Sequence, residues 1–162
     1  MMKEEKQKEK ELLLNVLKDG LPYGLQLQIT DVDGFTFSGE LRVLSKNWCR
    51  LNITNPAKKA RVKNETIPLN YIYIKPYLRS MSSMTDEEFQ ELHNICPHST
   101  FNKTNISTWV VGLDGSEYGR ITHLDEICVF INWLNAHHFD FHNLIERGLA
   151  IEVTEENNSY KD

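Results

Sequence analysis

The sequence predicts an α+β protein: a small, bent antiparallel β-barrel of SH3-like or Sm-like type, preceded by one helix and followed by a helical lobe with a short hairpin. Apolar and polar residues alternate through Leu25-Gln26-Leu27-Gln28-Ile29-Thr30 and again from Phe35 to Val43, the period of half-buried strands. Asp33-Gly34 separates the two runs, a residue pair that closes tight hairpins. Beyond residue 85 the apolar spacing lengthens to three and four, the period of helices.

Taken in order, Lys3 to Lys18 begins with mixed charges and ends in Leu12, Leu13, Leu14, Val16 and Leu17. This reads as a helix with a polar start and a buried end, stopped by Gly20 and Pro22. The first strand sets Leu25, Leu27 and Ile29 on one face, and the second sets Phe35, Phe37, Leu41 and Val43 inward. Gly39 falls on that inward face, where a bend or bulge is expected. A third strand is expected at Cys49–Ile53 and a fourth from Thr66 to Ile74, with a basic loop at 55–64 between them. Pro76 ends the barrel, and Lys75 to Thr85 serves as a connector in which Leu78, Met81 and Met84 pack barrel against lobe.

Thr85-Asp86-Glu87-Glu88 has the form of a capping box, and the helix it opens runs through Phe89, Leu92 and Ile95 to Pro97. Thr108 to Ile121 reads as a second hairpin about Asp114-Gly115. A further helix starts near Thr122 and carries Leu124, Ile127, Ile131 and Leu134. Asp140 is expected to cap a short helix that Gly148 ends, with a last strand at Leu149–Val153. The expected division is an N-terminal helix at 1–20, a barrel at 21–79, a helical lobe with hairpin at 80–155, and a disordered tail at 156–162.

A chain of 162 residues, 40% hydrophobic and 25% charged, has the size and composition of one compact folded unit. It has no apolar run of about 18 residues, and its start is charged, so no membrane partner is expected. Cys49, Cys96 and Cys128 are odd in number and widely spaced, which fits reduced thiols and a cytoplasmic setting.

The formal charge of −5 is strongly segregated. Residues 41–80 hold nine Lys and Arg against Glu65 alone, whereas residues 81–162 hold four against fourteen Asp and Glu. Within the basic block, Arg42, Lys46, Trp48, Arg50, Lys58, Lys59, Arg61 and Lys63 form the candidate nucleic-acid surface, with Tyr71, Tyr73, Lys75, Tyr77 and Arg79 beside them. Cations pair with phosphates and aromatics stack on bases, a combination that small barrels use. The competing expectation is that these cations dock on the chain's own acidic lobe or only solubilise the barrel.

Chemistry has fewer footholds. His137, His138 and His142 could share a metal, since side chains four apart on a helix face one way, but Asp140 reads as a cap that interrupts the helix between them. His93, Cys96 and His98 are a second grouping, and Cys96 could be a thiol nucleophile or simply a buried thiol. His98-Ser99-Thr100 has the HxT form of two-histidine phosphoesterases without the second copy such sites require. The phosphate-binding loop, the dinucleotide glycine pattern and the nucleophile elbow do not occur, so no catalytic residue and no cofactor are assigned.

Leu21-Pro22-Tyr23-Gly24, the run from Ile74 to Thr85, and Trp133 to Asp140 continuing through Leu144 to Ala150 stand in an order that resembles an uncharacterised family of small proteins from Bacteroides-type gut bacteria, their phages and prophages. Two positions depart from that family's pattern: Ser80, where proline is usual, and Phe141-His142, where Tyr-Arg is usual. The resemblance implies an intracellular phage or mobile-element accessory protein and no particular activity. The expectation is a non-catalytic binding module whose partner is nucleic acid, a nucleotide or a host protein, the remaining alternative being a phosphoester- or metal-dependent enzyme.

Overall fold

The computed structural model describes residues 2–53, 66–69, 73–97 and 124–160. Helix α1 (Met2–Gly20) is followed by a 3₁₀ turn at Leu21–Tyr23 and strands β1 (Gln26–Thr30), β2 (Thr36–Leu44), β3 (Trp48–Asn52), β4 (Thr66–Pro68) and β5 (Tyr73–Leu78). Helices α2 (Asp86–Ile95) and α3 (Leu124–Ala136) and a short strand β6 (Ile151–Glu152) complete the order. The chain is α+β, as its periodicities require. The hairpin expected at Thr108–Ile121 lies outside the described residues.

The strands form one six-stranded sheet in the order β4-β3-β2-β1-β5-β6. All neighbours are antiparallel except β5 and β6, which run parallel. The sheet is mixed and open, with β4 and β6 at opposite edges, so the expected closed antiparallel barrel is not what the described residues form. The single strand expected over Thr66–Ile74 is two: β4 pairs with β3 at one edge, and β5 pairs with β1 on the far side of the hairpin. Pro76, expected to end the sheet, lies within β5 opposite Leu27. It is tolerated because β6 joins only at Tyr77 and Leu78, leaving Pro76 on an open edge where its missing N–H breaks no ladder bond.

The hairpin turn is held by Asp31, whose carboxylate accepts from the backbone N–H groups of Asp33 (3.0 Å) and Phe35 (2.8 Å), the local bonding that makes aspartate a turn residue. Leu25, Leu27, Ile29, Phe37 and Leu41 are buried as expected, but Val43 is 37% exposed. The reason is a register shift between Leu41 and Val43 that leaves Arg42 without an opposite residue in β3. A one-residue bulge turns every later side chain to the other face.

The bulge is therefore not at Gly39, which has a different task. A Cβ there would meet the carbonyl oxygen of Asn52 at 2.7 Å, so glycine is what lets the chain leaving β3 pass close over β2.

Two apolar clusters result. Leu17 of α1, the inner face of the sheet, and Leu144 and Ala150 build the first; Met81, Met84, Leu92, Phe130, Trp133, Leu134 and Phe139 build the second. Leu78 belongs to the sheet cluster and Met81 to the helical one, so the connector divides between them rather than packing as one block.

Residues 141–150 form turns instead of the expected short helix. Asp140 nonetheless organises them: buried, it accepts from the N–H groups of Leu144 (2.9 Å) and Ile145 (2.7 Å). Residues 156–160, expected in a disordered tail, carry a docked Tyr160 described below.

Gly39→Ala should lower stability by about 1–3 kcal/mol, the usual cost of forcing atoms into a packed site. Urea unfolding would show the midpoint moving down, whereas Gly34→Ala, where the added carbon meets nothing, changes only the strain of its left-handed backbone.

Candidate nucleic-acid interface

Alternation along β3 buries Cys49 and Leu51 and turns Trp48, Arg50 and Asn52 to the outer face. Across the strand pair, Arg50 stands opposite Val43 and Trp48 opposite Pro68. The bulge adds Arg42, and the turn into β3 adds exposed Lys46. Four of the eight expected site residues, Arg42, Lys46, Trp48 and Arg50, thus meet at one corner of the sheet, with Trp48 half-buried and the cations in solvent. Lys58, Lys59, Arg61 and Lys63 lie outside the described residues.

Arg42 is bonded to Glu40 on its own strand at 2.7 Å, with its side chain 55% exposed. Such a surface pair contributes little and is easily exchanged. Among the described residues no carboxylate pairs with Lys46, Arg50 or Lys75. Lys75 is exposed on β5, opposite Gln28, with the exposed Tyr73 two residues before it.

Among the described residues of the basic block, the cation that meets the acidic lobe is Arg79. Its guanidinium makes a two-pronged bond to Glu88 at 2.5 and 2.8 Å and lies 4.3 Å above the Phe139 ring. Glu88 closes the capping box at the same time, accepting from the Thr85 N–H at 2.9 Å while its own N–H donates to Thr85 Oγ1 at 3.1 Å. The Arg79 hydrogen bond is the main cause that holds the Glu88 carboxyl below its ordinary value, against the opposing effect of burial.

Tyr77 also points to the outer face but is covered. Its hydroxyl reaches Gln28 Nε2 and Ser38 Oγ, both at 3.2 Å. Its backbone carbonyl meets Tyr160, whose hydroxyl accepts from the Gln26 N–H (3.2 Å) and donates to that carbonyl (2.7 Å). Gln26 and Tyr77 are the next positions in register after Leu27 and Pro76, so one phenol bridges two strands where their direct pairing ends. Sequence reasoning missed Tyr160. The available signal was an aromatic residue in an otherwise polar segment.

The three histidines have separate neighbours. His137 stacks on Trp133 at 3.9 Å and its Nδ1 lies 2.9 Å from the Trp133 carbonyl. His138, in the left-handed backbone region at φ 59°, stacks on Tyr160 at 3.9 Å. His142 lies against Phe141. No group of three His, Cys, Asp or Glu with metal-binding proximity occurs among the described residues, so His137, His138 and His142, the weak candidates for a shared ion, are not brought together.

Cys96 is buried, its Sγ donates to the Glu126 carbonyl at 3.8 Å, and burial pushes its thiol up to about 11. That environment makes a packing thiol, not a nucleophile. His98 lies outside the described residues, and among those described no helix is long and apolar enough to cross a membrane.

Burial lowers His138 to about 4 from an ordinary 6.5, so the unfolded chain binds the proton that the folded one refuses. Stability is then full above pH 6.5 and declines as pH falls toward 4; Glu88, also lowered, adds loss in the acid range below 4.5. Chemical denaturation across this range should show the decline, and His138→Asn, which suits the left-handed backbone, should flatten the upper part of it while Glu88→Gln flattens the lower.

No protein-family model matches the chain, and comparisons with curated proteins and with solved structures return no match.

Proposed function

We propose that the chain is a non-catalytic binding module, an accessory protein of a phage or mobile element, whose β2–β3 corner binds nucleic acid or a nucleotide. The observation that carries the reading is the division of the basic block: Arg79 is engaged by the acidic lobe through Glu88, while Arg42, Lys46 and Arg50 face solvent beside Trp48. Exposed cations bind phosphates by releasing condensed counterions, a gain that does not require burying them. A half-buried indole at the same corner offers an apolar surface for a base. The basic segment 58–63, which follows β3 in the sequence, carries four further cations.

Fluorescence anisotropy with single- and double-stranded oligonucleotides and with a nucleoside triphosphate, at low salt, tests this reading. Binding should weaken as salt rises, and Lys46→Glu/Arg50→Glu should reduce affinity roughly tenfold or more and flatten the salt slope by about 0.7–0.9 for each phosphate no longer neutralised. Trp48 emission should change on binding. Undetectable binding of all three ligands by the wild-type chain would reject the proposal.

A further inference from the structure

The pairing of β1 with β5 ends at Leu27 and Pro76, and the next two residues in register face each other across a side chain. The Leu25 carbonyl accepts from the Leu41 N–H on the β2 side, so alternation turns the Gln26 N–H toward β5. On β5 the Leu78 carbonyl accepts from the Val153 N–H, which turns the Tyr77 carbonyl toward β1. These two groups would make the next ladder bond. The Tyr160 hydroxyl stands between them instead, accepting from Gln26 at 3.2 Å and donating to Tyr77 at 2.7 Å. Its ring lies on His138 at 3.9 Å, with 13° between the planes. Burial raises the hydroxyl above its ordinary pKa, so it stays protonated and able to donate. A donor, an acceptor and an aromatic face set around one ring are what a phenol needs for recognition.

The segment that carries Tyr160 is held by little else. Thr154 to Asn157 are exposed. The bonds from the Thr154 N–H to Asn157 Oδ1, from Asn157 Nδ2 to the Glu152 carbonyl and from the Tyr160 N–H to Asn158 Oδ1 all stay within a few residues. Among the described residues, the hydrogen bonds that tie the chain after Val153 to the body of the protein are the two made by the Tyr160 hydroxyl. Docking also carries a standing cost. Three buried side-chain polar atoms among the described residues have no hydrogen-bond partner, and two of them are His138 Nδ1, in the ring under Tyr160, and Ser159 Oγ, in the residue before it. Lifting the segment away uncovers Ser159 and the stacked face of His138, which offsets part of what the two bonds contribute.

We propose that Gln26, Tyr77 and His138 form a phenol-binding site that the chain fills with its own Tyr160, and that residues 154–160 are a strap that releases while the sheet stays folded. The ligand class is a para-substituted phenol, the chemistry of the tyrosine side chain itself. The site shares no residue with the β2–β3 corner.

The test compares the wild-type chain with Tyr160→Ala by NMR titration with 4-methylphenol, 4-methylanisole and toluene. The variant should keep its fold and bind 4-methylphenol saturably, one to one, with the Gln26 amide resonance moving back toward its wild-type position. The methyl ether accepts but cannot donate, so it should bind about three- to tenfold more weakly, and toluene more weakly still. The wild-type chain, its site filled, should bind 4-methylphenol at least tenfold more weakly than the variant does. Native-state hydrogen exchange of the wild-type chain should show the Gln26 amide opening at low urea, at least tenfold faster than the Leu41 amide inside the sheet. No saturable 4-methylphenol binding by the variant, equal affinity for the phenol and its methyl ether, equal binding by variant and wild type, a variant that no longer folds, or Gln26 exchange that tracks Leu41 would each overturn the proposal.

Discussion

Arg79 is the joint on which the two halves of this protein depend. Its backbone N–H donates to the His138 carbonyl and its carbonyl accepts from the Asp140 N–H, both at 2.8 Å, so the chain leaving the sheet is tied to the chain leaving α3. Its guanidinium then spans Glu88 and the Phe139 ring. A single residue therefore links β5, the start of α2 and the end of α3, and it does so between Leu78 of one apolar cluster and Met81 of the other. A partly buried, doubly hydrogen-bonded charge pair holds orientation because neither partner can leave without stranding the other.

That joint also sets the acidic lobe apart from most of the described basic block. The acidic lobe is fixed to the β5 side of the sheet, and the β2–β3 corner lies two strands further across. The inner face of the sheet is filled by the apolar end of α1 and by Leu144 and Ala150. Alternation then leaves the other face polar, and the bulge at Arg42 rotates the end of β2 so that Val43 and Arg42 both reach solvent.

Local patterns are legible in the sequence, and long-range placement is not. The α1 helix, the Asp33-Gly34 hairpin, β3 and the Thr85 capping box all follow from interactions within a few residues, which is the range that composition and spacing encode. Alternation misplaces Val43 because a bulge carries no residue signature of its own, and Gly39 attracts that expectation through its actual role, the close passage of Asn52. Pro76 reads as a terminus because its tolerance depends on how far β6 extends, a fact about a segment much later in the chain. Of the candidate site, the solvent exposure of Arg42 follows from alternation, whereas the diversion of Arg79 to Glu88 needs the fold.

The order of strands has a consequence for self-association. Exposed edges of sheets recruit stray strands when they present a long row of unpaired backbone groups. Here the two outermost strands are β4, three residues ending in Pro68, and β6, two residues that cover only the end of β5; the open stretch of β5, Tyr73–Pro76, ends in a proline that has no N–H to offer. Strands β1 and β2 sit inside, each with a neighbour on both sides. Among the described residues, the sheet therefore offers a second copy of the chain only short or proline-interrupted edges.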